Sequence, residues 1–193
     1  MRNSTAKLLI TIFLLVASST AFAHPGHNVS SLAAGLMHPF PGLDHLLAMV
    51  AVGLWAVQGG GRKVWLLPAT FMTMLAAGAG IAMLWQSLPL VEAGIAVSVL
   101  ALGLLVALSL QLPALLSVAI TALFGLLHGY AHGLELPEFE APAAYALGFI
   151  AATAALHLSG IAVGVATHKR STALAKALGV AIAASGAYLL VST

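Results

Sequence analysis

The sequence predicts an all-α fold, a polytopic membrane bundle of six transmembrane helices that follows a cleavable signal peptide. Hydrophobic residues make up 61% of the 193 residues and charged residues only 6%, whereas a soluble domain has roughly 25% charged residues. Several apolar runs reach the roughly 20 residues that a helix needs to cross a bilayer. The chain contains no cysteine, which excludes disulfides and thiolate metal ligands.

The first 23 residues have the pattern of a secretory signal peptide. Arg2 and Lys7 are basic, residues 8–16 form a short apolar stretch, and residues 21–23 fit the small-x-small cleavage pattern. An uncleaved first helix is the alternative interpretation. The loops of the remaining chain are too short to hold a soluble domain, so we expect residues 24–193 to form one transmembrane domain.

Cleavage after Ala23 would make His24 the new N-terminus, with His27 close behind it. The terminal amine and the two imidazoles are nitrogen donors of the kind that bind transition metals. His24 and His27 are therefore candidates for metal capture. A solvated tail without such a role is the alternative.

Hydropathy and helix-breaking residues predict six membrane spans. They cover 31–57, 64–85, 90–110, 113–134, 142–167 and 173–192. A secreted N-terminus directs the first span inwards, and every basic residue of the mature chain then faces the cytoplasm, as the positive-inside rule requires. These residues are Arg62, Lys63, Lys169, Arg170 and Lys176. This placement accounts for the basic excess, so we expect a lipid bilayer and no nucleic acid as partner.

A first cluster of ligating side chains lies in the segment 38–45, which reads His-Pro-Phe-Pro-Gly-Leu-Asp-His. The two prolines interrupt the helix, and we expect it to restart near Gly42. Imidazole and carboxylate groups inside a membrane mark ion or substrate pathways. The candidate metal ligands are His38, Asp44, His45 and Met49. Asp44 has the alternative role of an acid in the first helical turn, and Met49 is more typical of packing.

A second cluster follows the helical spacing i, i+4, i+7 and comprises His128, His132 and Glu135. Two imidazoles four residues apart can reach one ion, as in helical zinc sites, but the sequence between them lacks the glutamate of the HExxH motif. A stripe of small residues, Gly125, Gly129 and Gly133, runs beside them and predicts close packing that would bring the histidines against the first span.

The predicted orientation brings the two clusters to the same side of the membrane and to similar depth, so they can form one site. His157 lies about 15 residues into the fifth span and is therefore deeper. It is a candidate relay point for an ion, and a histidine hydrogen-bonded to a neighbouring helix is the alternative. Trp55, Trp65 and Trp85 lie near span ends and predict interfacial aromatic belts.

The chain resembles the HupE/UreJ family of bacterial nickel and cobalt permeases over essentially its whole mature length. Two motifs carry the resemblance: His38-Pro39-x-x-Gly42-x-Asp44-His45 and Phe124-x-x-x-His128-Gly129-x-Ala131-His132-Gly133-x-Glu135. The resemblance implies uptake of Ni²⁺ or Co²⁺ as transported substrate, with no permanently bound cofactor. It also implies the bacterial inner membrane as location and hydrogenase or urease maturation proteins as downstream partners. By matching position, the six ligating residues of the two motifs take the metal-pathway roles.

Two other functions remain open from the residues alone. An intramembrane zinc enzyme that hydrolyses lipid amides would use three protein ligands and one open position. A metal sensor or assembly factor would bind the ion without passing it on. The candidate ligands outnumber a single zinc centre and are graded in depth, which favours a transport path over an enzyme.

Overall fold

The computed structural model describes residues 31–85, 88–135 and 141–192, and the regular structure within these ranges is entirely helical. Its helices are α1 (Ser31–Met37), α2 (Leu43–Gly59), α3 (Lys63–Leu84), α4 (Val91–Ala107), α5 (Ala114–Glu135), α6 (Pro142–Arg170) and α7 (Thr172–Ser192). The predicted signal peptide and the candidates His24 and His27 lie outside the described residues.

The predicted break in the first span is confirmed. Helix α1 ends at Met37, and α2 begins at Leu43 after Gly42, whose backbone is extended with φ −82° and ψ 103°. Proline lacks a backbone N–H and its ring clashes with the preceding turn, so Pro39 and Pro41 prevent one continuous helix. The ligating side chains of this segment therefore lie on and beside an irregular backbone.

Within the described ranges, four helices are long and apolar enough to cross a membrane: α3, α5, α7 and residues 142–167 of α6. Helices α2 and α4 are equally apolar but have 17 residues each, which corresponds to about 26 Å at 1.5 Å per residue. The architecture is that of an all-α membrane bundle. We call the end where α2 begins the histidine end, and the end with Arg62 and Lys63 the basic end.

Helices α3 and α5 run parallel in close contact through the predicted glycine stripe. A Cβ atom at Gly125 would lie 2.6 Å from the carbonyl oxygen of Phe71, and one at Gly129 would overlap the carbonyl of Leu75. The close packing is confirmed, but its partner is the second predicted span. The histidines of α5 do contact the first span, as expected, since the rings of His45 and His128 have centroids 5.0 Å apart, while the glycines occupy a different face of α5.

Helices α2 and α6 form a second parallel pair. Cβ atoms at Gly53 and Gly160 would overlap the backbone carbonyls of His157 and Val50, respectively. This contact fixes the depth of His157 relative to α2. Because Gly53 follows His45 by eight residues, His157 lies level with a point about 12 Å deeper along that helix.

The three tryptophans lie near helix ends, and two of them have exposed side chains. Trp65 and Trp85 are 64% and 68% exposed, as expected of side chains at a membrane interface. Trp55 is buried, and its indole N–H donates a hydrogen bond to the carbonyl of Leu110 at 3.1 Å. Trp55 therefore belongs to the packed interior between α2 and the turn before α5.

Candidate metal-binding site

A cavity of about 900 Å³ lies at the histidine end. The break before α2 forms one wall, and the first turn of α4 and the last turns of α5 form the others. Its polar lining consists of His38, Asp44, His45, Glu92 and His132. Glu92 is a carboxylate that sequence reasoning left out of the site, because it stands alone in an apolar segment without a neighbouring ligand. We call this cavity the vestibule.

The histidines of the two sequence motifs meet at the floor of the vestibule. The ring centroids of His38 and His132 are 4.7 Å apart, and those of His132 and His45 are 4.2 Å apart. His45 also contacts the deeper His128, with centroids 5.0 Å apart. The two clusters lie on antiparallel helices, and we expected them at the same depth. Their rings are in direct contact, as this expectation requires.

The series of rings continues past the histidines of the motifs. Phe71 contacts His128 with ring centroids 5.4 Å apart and His157 with ring centroids 5.2 Å apart. We call the six rings of His38, His132, His45, His128, Phe71 and His157 the ring series. It runs from the vestibule to the deep histidine of α6.

His128 is fully buried, and its protonation pattern follows from its partner. Its Nδ1 lies 2.8 Å from the carbonyl oxygen of Phe124, and since a carbonyl only accepts, Nδ1 carries the proton. The lone pair of the neutral ring is then on Nε2, which has no hydrogen-bond partner among the described residues. An imidazole oriented by a backbone carbonyl, with a free second nitrogen, is the usual form of a metal-binding histidine.

His45 has a similar arrangement with a carboxylate in place of the carbonyl. Oδ1 of Asp44 accepts hydrogen bonds from the backbone N–H and from Nδ1 of His45, both at 2.7 Å. Nε2 of His45 is buried and lacks a partner in the described part of the chain. Asp44 therefore orients His45 and polarises its ring, in addition to lining the vestibule.

Aromatic side chains of α6 surround the motif histidines. The rings of Phe149 and His132 are 4.2 Å apart, and His38 lies 5.6 Å from Tyr145 between ring centroids. Tyr145 and Phe149 are four residues apart and buried, so they share one helical face. This apolar wall excludes water from one side of the imidazoles. In the sequence, only the four-residue spacing of these two aromatic residues points to a shared face, and this spacing is common in any buried helix.

His157 is 1% exposed and lies below Phe71 in the ring series. The backbone carbonyl of Thr153, one turn earlier on the same helix, is a weak hydrogen-bond acceptor for its ring, and neither ring nitrogen makes a well-aligned hydrogen bond to a described group. The alternative of a histidine bonded to a neighbouring helix therefore has no support in the described residues. A buried imidazole without such a bond retains a free lone pair for a ligand.

For two candidate ligands, the described structure shows no contact with the site. Met49 is fully buried within the apolar core, as is typical of a packing methionine. Glu135 is the last residue of α5, and its side chain lies outside the described atoms. Among the described side chains, no group of three histidine or carboxylate residues is arranged to hold one ion. The site is a sequence of ring contacts rather than a closed centre.

The fold and the site together define a helical membrane protein with a series of imidazole side chains along its interior. Comparison with known proteins agrees with this class. The profile of the family described as HupE / UreJ protein matches residues 12–189. The chain is 42% identical to Protein HupE from Rhizobium leguminosarum bv. viciae over 189 residues, covering 96% of this chain and 98% of that protein. The chain belongs to the HupE/UreJ family. No solved structure is significantly similar to it.

Proposed function

We propose that this protein is a secondary transporter that passes Ni²⁺, and also Co²⁺, across the bacterial inner membrane into the cytoplasm. The observation that carries the proposal is the ring series. A graded row of imidazoles from an open cavity to a buried histidine suits an ion that moves stepwise, because each ligand can take over from the one before.

The metal-binding residues in this proposal are those that both sequence motifs supply, with His157 as the deepest. The ion first passes between the imidazoles of His38, His132 and His45 at the vestibule, whose lining also includes Asp44. Glu135, the last residue of α5, is a further proposed ligand. The ion then passes to Nε2 of His128 and on to His157. Neutral imidazole binds borderline divalent metals such as nickel and cobalt more strongly than Mg²⁺ or Ca²⁺, which prefer oxygen ligands.

The proposed topology has six spans and a periplasmic N-terminus after removal of residues 1–23 as a signal peptide. Residues 24–193 then form the permease domain, with the vestibule on the periplasmic side. His24 and His27 are then on the periplasmic side of the membrane and form the proposed point of metal capture. Hydrogenase or urease maturation proteins would receive the metal in the cytoplasm.

The membrane potential is a sufficient driving force for this transport. A divalent cation that moves into a negative compartment gains roughly 4.6 kcal/mol per 100 mV, at about 2.3 kcal/mol per charge. This corresponds to about three decades of concentration. Facilitated uptake, or proton-coupled uptake that uses the histidines, therefore needs no energy-coupling domain.

Flux through the purified protein in liposomes with an inside-negative potential tests the proposal. We expect Ni²⁺ influx, and slower or equal Co²⁺ influx, that the variant His128→Ala abolishes. Tight metal binding by the wild-type protein without influx would instead indicate a sensor. Release of fatty acid from a lipid amide in the presence of Zn²⁺ would indicate an enzyme.

A further inference from the structure

Phe71 is the one member of the ring series that cannot bind a metal. It is fully buried on α3, and its ring contacts two fully buried imidazoles, His128 at 5.4 Å and His157 at 5.2 Å between centroids. Its helix, α3, carries no histidine, aspartate or glutamate. Its position between ligating groups therefore needs an explanation other than coordination.

The depth of Phe71 follows from the helix register. Helices α3 and α5 are parallel, and Gly125 lies against the backbone of Phe71. Phe71 is thus about 4.5 Å nearer the basic end than His128, which follows Gly125 by three residues. His157 lies about 12 Å deeper than His45, the ring that His128 contacts on the vestibule side. Phe71 consequently occupies the level between the motif histidines and the deep histidine.

An apolar ring at this level blocks an ion, because a cation that loses water there gains no ligand in return. Moving a charge into a dry apolar region costs several kcal/mol at least, and hydrophobic constrictions close channels in this way. Protons on water chains and hydrated Mg²⁺ meet the same barrier. A metal held by Nε2 of His128 differs from them, because a second imidazole lies directly beyond the ring.

We propose that Phe71 is the hydrophobic barrier of the transport path and determines which cations pass it. This proposal rests on the proposed transport function. The close backbone contact with Gly125 holds this part of α3 in place, so passage requires rotation of the Phe71 side chain rather than movement of the helix. This rotation costs free energy. An ion that is bound by an imidazole on one side of the ring, and can bind a second imidazole on the other side, recovers enough free energy to drive it. Other cations do not.

Proton and Mg²⁺ leak into liposomes distinguishes a barrier from an ordinary core residue. Wild-type protein, Phe71→Ala and the more conservative Phe71→Leu are reconstituted at equal density, with pH-sensitive and Mg²⁺-sensitive dyes inside. We expect at least a tenfold rise in both leaks for Phe71→Ala and an intermediate rise for Phe71→Leu. The ratio of Ni²⁺ to Mg²⁺ influx falls at least tenfold in Phe71→Ala.

Leu102→Ala is the matched control, because Leu102 is a fully buried core residue of α4 and its truncation opens a cavity of comparable kind. If the barrier is local to Phe71, liposomes with Leu102→Ala leak protons and Mg²⁺ no faster than liposomes with the wild-type protein. An equal leak in Leu102→Ala and Phe71→Ala would overturn the proposal. A leak in both Phe71 variants as low as that of the wild-type protein would overturn it as well.

Failure of the barrier and failure of the transport function give different results. A wild-type protein that passes no Ni²⁺ refutes transport, whatever the leak of the variants. If the wild-type protein takes up Ni²⁺ but neither Phe71→Leu nor Phe71→Ala increases the proton and Mg²⁺ leaks, the barrier alone is refuted. Phe71→Leu keeps the comparison decisive if Phe71→Ala does not fold, because it retains most of the buried apolar volume.

Discussion

The two ends of the bundle differ in size and chemistry. The histidine end encloses a cavity of about 900 Å³ with imidazole and carboxylate groups. At the basic end, a cavity of about 130 Å³ is lined by amide and hydroxyl groups of Gln58, Gln111 and Thr167. Imidazole and carboxylate hold a transition metal, whereas amides and hydroxyls bind it weakly. Strong ligands at one end and weak ones at the other favour capture from the first side and release at the second.

The largest effect that tests this asymmetry is expected for His128→Ala. Removing the Nε2 donor leaves no imidazole in contact with Phe71 on its vestibule side, so Ni²⁺ influx into liposomes falls at least a hundredfold. His168→Ala is the control, because His168 is a histidine of α6 close to its basic end. Similar influx in His128→Ala and the wild-type protein would remove the ring series as the path.

Asp44→Asn is expected to weaken metal binding by roughly 10- to 100-fold, the range typical when a group that orients a metal-binding histidine is changed. The amide oxygen can still accept the hydrogen bond from Nδ1 of His45 but carries no charge. Isothermal titration of the detergent-purified protein with Ni²⁺ measures the change. Asp44→Ala, which removes the acceptor as well, must be weaker still, and equal affinities for both variants would contradict the orienting role.

Gly129→Ala tests whether the histidine end depends on the contact between α3 and α5. The added methyl group overlaps the carbonyl of Leu75, and overpacking of this kind costs about 1–3 kcal/mol. A lower midpoint of thermal unfolding in detergent is the expected result. Gly80→Ala on α3 is the matched control, since a Cβ atom there meets nothing within 4 Å. We expect the midpoint of thermal unfolding to be clearly lower for Gly129→Ala than for Gly80→Ala.

The smallest effect is expected for Glu92→Gln. Glu92 is exposed in the vestibule and close to the motif histidines, so its charge raises the local concentration of cations without holding them. Ni²⁺ influx at low metal falls about threefold, and the difference disappears at high salt because salt screens exposed charges. Ser185→Ala, at a partly exposed position of α7, changes neither quantity. A salt-independent loss in Glu92→Gln would instead make Glu92 a direct ligand.

Much of the histidine end could be predicted from the sequence, because its signals are chemical and local. Two prolines around Phe40 mark the break, and the positive-inside rule sets both clusters on one side. Phe71 could not be identified in this way. A phenylalanine in an apolar helix carries no pattern, and its place between His128 and His157 depends on the parallel register of α3 with α5.

The glycine stripe of α5 illustrates the same limit. The spacing of Gly125, Gly129 and Gly133 indicates a close approach but does not say which helix approaches. The burial of Trp55 was not evident from the sequence either, because it depends on contacts with the distant turn at Leu110. Local sequence thus predicts where polar groups lie along the chain, and the pairing of helices decides what surrounds them.

The interrupted first span also shapes the electric field inside the protein. Helix α2 begins only at Leu43 and spans about 26 Å, so the vestibule reaches below the level at which an unbroken span would begin. Water in such a cavity conducts the external potential inwards, since the voltage drops mainly where the dielectric constant is low. Most of the membrane potential then falls across the remaining dry layer, which includes Phe71. The step from His128 to His157 is therefore expected to be the voltage-dependent step of the cycle.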